Sequence, residues 1–402
     1  MKTRVLKAIG LLVIILFSLN TNLSAQTGDK INAITTAVPF LMIAPDSRSG
    51  AMGDIGVATT PDANSQYWNA AKYPFIENDY GFSMSYSPWL RSLVNDINLA
   101  YISGYYKLNN KSAISGSLRY FSMGEIQFTD RVGNDLGTYK PNEFAIDAAY
   151  SRLLGDNFSG AVTLRYINSN LTAGQNVGGQ QTEVGQSVAA DVAIYWRKKM
   201  KIKDTKMLFA LGLNVSNIGN KISYSESLER DFIPTNFRLG PSLAIDLDKY
   251  NKLTIAVDIN KLLVPTPPQY AKDSNDNPIS DGNNGWVIEK GMDPNRSVGN
   301  ALFTSWYDAP GGFTEEMQEF VIGAGLEYAY DQKFFVRGGY FYENAKKGNR
   351  KYFTLGAGFK YNVFALDFSY LIPTTQRNPM QNTVRFTLIF NFDKPASTAT
   401  QK

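Results

Sequence analysis

The chain has 402 residues, 44% hydrophobic and 19% charged, with 33 glycines and neither histidine nor cysteine. The two absences exclude Ser-His and Cys-His nucleophiles, imidazole bases, histidine-ligated metals, zinc thiolates and disulfides. The formal charge is +4, but Lys2, Arg4 and Lys7 stand in the first 25 residues, which hold no acid. Without that segment the charge is about +1, so neither a basic binding face nor a nucleic-acid partner is expected.

The basic start, the apolar run from Ala8 to Phe17 and Leu23-Ser24-Ala25 before Gln26 have the layout of a secretory signal peptide over residues 1–25. Ten apolar residues are too few for a helical span, which needs about 20. The stretch from Gln26 to Phe75 lacks regular alternation. It contains Arg48-Ser49-Gly50-Ala51-Met52-Gly53-Asp54-Ile55-Gly56-Val57-Ala58, Asp62-Ala63-Asn64-Ser65 and Tyr67-Trp68-Asn69-Ala70-Ala71. Small residues allow close approach to other backbone, so residues 26–78 are expected to form a plug inside a lumen. The Gly-rich run lacks the lysine and the strand-to-helix setting of a phosphate loop, and no cofactor or metal is expected.

From residue 79 onward the pattern has period two, as in Phe144, Ile146, Ala148 and Tyr150 against Ala145, Asp147, Ala149 and Ser151. This is the mark of two-faced strands. Fourteen are expected, at 79–87, 96–108, 111–121, 142–154, 157–169, 186–199, 205–216, 236–247, 251–263, 317–330, 332–343, 350–361, 363–372 and 381–392. Most are long enough for a tilted membrane crossing. Connections after even strands are tight, with a modest basic turn after the sixth. Those after odd strands are mostly longer, up to the 53 residues from Val264 to Glu316. Short turns on one side and long loops on the other predict an all-β fold: a 14-stranded antiparallel transmembrane β-barrel, residues 79–392, in the outer membrane. An even strand count puts both chain ends in the periplasm, with residues 393–402 as a polar tail.

Tyr80, Tyr86, Tyr120, Tyr150, Tyr166, Tyr328, Tyr340, Tyr361 and Tyr370 are expected in aromatic girdles. The aromatic-ended last strand, Val384 to Phe392, resembles the C-terminal signal of barrel insertion. Pairing across the turns sets Asp147 opposite Arg165 and Glu327 opposite Arg337, both facing the lumen. A last loop centred on Gln376 would set Asp367 opposite Arg385. These pairs are expected to satisfy a polar lumen and hold its shape. In the loops, Pro88-Trp89-Leu90 with Leu93-Val94, and Leu302-Phe303, Trp306-Tyr307 and Phe313, are apolar enough to dock another chain or to form a lid over the barrel mouth.

The run with Gly53, Gly56, Val57 and Ala58, followed by Asp62-Ala63 and Trp68-Asn69, resembles the N-terminal hatch of FadL-type outer-membrane proteins. Many such hatches have Asn-Pro-Ala where this chain has Asn69-Ala70-Ala71. Within that family a longer series of blocks resembles the PorV (LptO) proteins of the Bacteroidetes type IX secretion system. The blocks are Ala37-Val38-Pro39-Phe40-Leu41, Asp46-Ser47-Arg48-Ser49-Gly50-Ala51-Met52-Gly53-Asp54, Tyr67-Trp68-Asn69-Ala70-Ala71-Lys72-Tyr73, Ser87-Pro88-Trp89-Leu90 and Leu99-Ala100-Tyr101.

The resemblance implies fourteen strands around a plug and a non-enzymatic role. It implies partners as well: secreted proteins carrying a C-terminal secretion domain, a giant translocon barrel, and a sortase-like protein that attaches cargo to lipopolysaccharide. The name LptO suggests lipopolysaccharide deacylation, but a Ser-His deacylase needs an imidazole that the chain lacks. The other reading is a FadL-like channel for hydrophobic small molecules, with a mobile hatch and a lateral exit at a strand kink near Ser122 to Gly124.

Overall fold

The computed structural model describes residues 31–394, except 92–93, 95, 130–131, 173–175, 178–179, 226–229, 284 and 376–377. From Asn32 on, the described residues belong to one compact unit. The expected leader and most of the polar tail lie outside the described residues.

Among the described residues fourteen antiparallel strands close into a barrel. They are β1 Tyr80–Pro88, β2 Ile97–Asn109, β3 Ser112–Met123, β4 Asn142–Gly155, β5 Phe158–Asn170, β6 Gly185–Ile202 and β7 Thr205–Gly219. The second half has β8 Asn236–Asp246, β9 Asn251–Leu262, β10 Val321–Tyr330, β11 Phe334–Tyr342, β12 Lys351–Tyr361, β13 Phe364–Pro373 and β14 Val384–Phe392. Closure pairs β1 with β14 from Tyr80↔Phe392 to Tyr86↔Phe386. Aromatic stacking reinforces the seam: the Tyr80 and Phe392 rings are 5.2 Å apart, and those of Phe82 and Phe390 are 4.9 Å apart.

Burial alternates along the strands, as the sequence period requires. Outward positions such as Ile102, Leu118, Ile146, Val162, Leu164, Val188, Val336 and Leu355 are exposed and apolar. An exposed apolar band on a closed sheet is stable in hydrocarbon, where every backbone amide must be paired internally. Tyr80, Tyr86, Tyr120, Tyr150, Tyr166, Tyr328 and Tyr361 lie on this outer surface.

Four expectations are corrected. Strand β10 starts at Val321 rather than at residue 317, because Phe313–Gln318 is a helix. The register of the last hairpin is shifted by two residues, its centre by one, so Asp367 stands opposite Thr387 and Ser369 opposite Arg385. The Ser122 to Gly124 break does not open the wall: pairing runs through Asn98↔Ser122 and Ser122↔Asn142, and the chain then leaves the ladder for a hairpin, Ile126–Thr129 with Asp135–Tyr139. Finally, the described segment before β1 is found at Asn32 among the long loops rather than on the turn side.

That segment enters among the long loops. The Asn32 side chain donates to the Pro267 carbonyl at 3.1 Å and to Glu315 at 2.9 Å, and the Ala37 amide donates to the Phe232 carbonyl at 2.9 Å. It then descends through the lumen as short helical turns, Pro39–Met42, Ser47–Gly50, Ser65–Trp68 and Ala70–Phe75. It leaves on the turn side, where Lys107 Nζ donates to the Ile76 carbonyl at 3.0 Å and the Asp79 amide to the Phe392 carbonyl at 3.0 Å. The plug therefore fills the barrel from the loop side to the turn side.

Candidate functional site

Plug and wall are joined by buried charge. Arg48, in the turn Ser47–Gly50, donates to both oxygens of Glu327 on β10 at 2.9 Å each and to Asp62 at 2.8 Å. Glu327 faces Arg337 on β11, which donates to it at 2.7 Å and to Asp367 at 2.6 Å. A carboxylate held by two guanidiniums offsets the desolvation that isolated buried charge would suffer. Burial alone pulls the Arg48 guanidinium down, but the charges of Glu327 and Asp62 hold it above its ordinary value.

A second socket forms across β4 to β6. Asp147 stands opposite Arg165, and Arg165 forks between Asp147 at 3.1 Å and Asp191 at 2.8 Å. The plug reaches this site through Gln66, whose amide donates to Asp147 at 2.6 Å. Each lumen charge pair is thus also a plug contact. The third socket is Asp258 on β9, whose Oδ2 accepts the Gly56 and Val57 amides at 2.7 and 3.0 Å.

The hatch residues each have a defined task. Gly53 has φ 80°, and a Cβ there would lie 2.7 Å from the Tyr340 carbonyl oxygen and 2.8 Å from that of Ala324. Only glycine lets the plug rest on wall backbone at that point. Asp54 accepts from the Tyr352 hydroxyl at 2.6 Å and lies 3.4 Å from Arg385. Gly56 supports the Trp68 indole, which donates to Asp46 at 2.6 Å. Asn69 joins the Val57 carbonyl, at 3.0 Å, to the Ile194 carbonyl of β6, at 2.9 Å. Burial, with the charge of Asp62 adding to it, pushes Asp46 up to about 6. Burial pulls the Lys72 amine, which donates to the Gly56 carbonyl at 2.8 Å, down to about 8.

Between plug and wall a cavity of about 300 Å³ is lined by Tyr67 and Trp68 of the plug and by Asn236, Arg238, Lys261 and Arg350, among others. Its lining mixes charged groups, Arg238, Lys261 and Arg350, with apolar ones, Ile34, Met42, Leu262, Val321 and Phe341. The long connection after β9 is fastened beside it. Lys261 Nζ is 2.9 Å from Glu316 and 2.5 Å from Glu319, and Lys347 is 2.6 Å from Glu315 and 3.0 Å from Glu319. These contacts explain the helix found where a strand was expected, since Glu316 and Glu319 must turn inward to reach Lys261.

The loop anchors divide into two groups. Pro88, Trp89 and Leu90 are half-buried, and Trp89 packs over the cluster of Val38, Phe40, Leu41, Leu99 and Phe121. Leu93 lies outside the described residues. In the long connection Phe303 is 75%, Tyr307 61% and Phe313 79% exposed, with Met317 exposed beside them. Trp306 is more sheltered, its ring meeting Phe237 at 5.2 Å. Sequence reasoning missed Arg48, Asp191, Asp258 and Lys261. Strand parity marks Asp191 and Asp258 as lumen-facing, but their partners are too distant in the chain for any local pattern to show.

No curated protein matches the chain. Among solved structures, the Pseudomonas putida toluene transporter TodX is 10% identical, with a TM-score of 0.47 over 91% of this chain and 100% of its own. A Pseudomonas aeruginosa FadL homologue is 9% identical, with a TM-score of 0.45 over 90% of this chain and 100% of its own. The Ralstonia pickettii toluene transporter TbuX is 10% identical, with a TM-score of 0.43 over 87% of this chain and 98% of its own. Likeness at this level carries no functional weight. The sequence model of the type IX secretion system protein PorV matches residues 25–269, more than half of the chain, and the protein belongs to that family.

Proposed function

We propose that this outer-membrane barrel binds secreted proteins through their C-terminal secretion domain, receives them at the giant translocon barrel and hands them to the sortase-like attachment protein. On this reading it is exported by a cleaved leader over residues 1–25, performs no chemistry and meets lipopolysaccharide through its outer surface. The observation that carries the reading is the exposed set Phe303, Tyr307, Phe313 and Met317 on a connection anchored by buried ion pairs, in a type IX secretion family member. Aromatic anchors on a rigid support are the groups that fill pockets on a partner chain at low entropic cost.

The alternative, uptake of hydrophobic small molecules, needs a plug that moves and a wall that opens. Buried charge at Glu327, Asp147 and Asp258 opposes the first, and the continuous ladder at Ser122 opposes the second. The test is binding of a purified C-terminal secretion domain to the full chain in nanodiscs. Phe303→Ala/Tyr307→Ala/Phe313→Ala is expected to weaken binding at least about tenfold with barrel folding unchanged. A wild-type protein that binds no such domain but returns fatty acid or detergent in its lumen would favour the channel.

A further inference from the structure

The near-neutral charge of the chain conceals a concentrated feature on the turn side. Pairing of β5 with β6 ends at Phe158↔Trp196, but the β6–β7 ladder continues to Ile202↔Thr205. The six residues of β6 from 197 to 202 thus project past the β5 turn, roughly 20 Å of strand at ~3.3 Å per residue. The Arg197 amide donates to the Asn157 carbonyl at 2.9 Å, and beyond it that edge of β6 has no strand partner among the described residues.

Residues 197–206 hold Arg197, Lys198, Lys199, Lys201, Lys203 and Lys206 against a single acid, Asp204. Asp204 is 4.0 Å from Lys201, with both side chains open to solvent. Lys201 stands directly opposite Lys206. Like charges so placed destabilise a ribbon unless a counter-charge is supplied.

The two faces of the ribbon differ. Arg197, Lys199 and Lys201 share the inward parity of Ala193 and Tyr195, and Lys206 pairs onto the same face. The outward face presents Trp196, Met200 and Ile202 with Met207 and Phe209, the Trp196 and Phe209 rings meeting edge to face at 5.9 Å. Lipid therefore meets the aromatic and apolar face with Lys198 alone, while the other strand cations look across the turn-side opening. Anionic headgroups would select the opposite arrangement.

We propose that this ribbon docks an acidic, extended segment of a periplasmic protein, added along the free edge of β6 with its carboxylates against Lys199, Lys201 and Lys206. Strand addition supplies main-chain hydrogen bonds, and the lysines admit an acidic strand while repelling a second copy of this edge. The short turns of such barrels face the periplasm, where the partner would be.

The test uses the full chain in phosphatidylcholine nanodiscs with fluorescein-labelled deca-glutamate as probe, followed by anisotropy. Wild type is expected to bind more weakly as salt is raised, Lys199→Glu/Lys201→Glu/Lys206→Glu to lose at least about tenfold, and Lys198→Glu to stay within about twofold. Heat-modifiable migration reports folding, and the corresponding Gln triple variant serves if the Glu variant does not fold. No binding by wild type at low salt, or equal losses in the triple and Lys198→Glu variants, would overturn the proposal. So would peptide-independent enrichment of wild type in phosphatidylglycerol discs that the triple variant abolishes, because lipid would then be the occupant.

Discussion

Glu327 lies between the Arg48 guanidinium of the plug and the Arg337 guanidinium of the wall, each within 2.9 Å. Arg48→Met keeps the side-chain length but leaves Glu327 and Asp62 short of a cation. Breaking a buried pair of this kind costs about 3–5 kcal/mol. Amide exchange over residues 44–60 is expected to accelerate by more than about a hundredfold, with partial recovery in Arg48→Met/Glu327→Gln. Unchanged exchange would show that Arg48 does not hold the plug.

Asp46 has a distinct pH signature. Its folded value of about 6 lies above the ordinary 3.8, because burial favours the neutral acid. The stability it contributes is fully present below 3.8 and is lost as pH rises through about 6. Asp46→Asn should therefore gain thermal stability relative to wild type as pH rises through this window. A constant difference between the two midpoints would contradict the assigned burial.

At the scale of elements, the strands were legible in the sequence because lipid and lumen impose opposite chemistry on alternate residues. Strands β3, β5 and β12 lie within two residues of their expected ends. The Asp147–Arg165 and Glu327–Arg337 registers follow from turns of fixed length. The last hairpin did not, since its ten-residue connection leaves the centre free by one position. The sockets were illegible for a related reason: Arg48 and Glu327 are 279 residues apart, and no period links them. The plug's descent from the loop side was also hidden, because strand parity fixes the ends of the barrel and not the path of the chain before it.

Close backbone contact between plug and wall makes its own prediction. Gly339 of β11 lies against the Gly53 amide and the Met52 carbonyl group, where a Cβ cannot be accommodated without displacement. Gly339→Ala is expected to leave barrel closure intact by heat-modifiable migration while exposing residues 48–60 to protease. Full protection would mean that the plug has slack at this wall.

For the whole molecule, charge and apolar surface are segregated. Aromatic anchors stand on the loop side, basic strand ends on the turn side, and the lumen between them is filled by a plug with ionic sockets. Total charge and composition average over this segregation, which is why a chain near neutrality carries a strongly basic ribbon.

On the proposed reading the plug stays in place while the exposed loops bind cargo. The chain has no cysteine of its own, and the Ser47 and Thr387 hydroxyl oxygens, one on the plug and one on β14, are 3.1 Å apart. Ser47→Cys/Thr387→Cys would therefore place two thiols within bridging reach. With the bridge formed, secretion and surface attachment of C-terminal-domain cargo in living cells should match those of the same variant under reductant. Secretion lost on oxidation and restored on reduction would show that the plug must move, and would contradict this account.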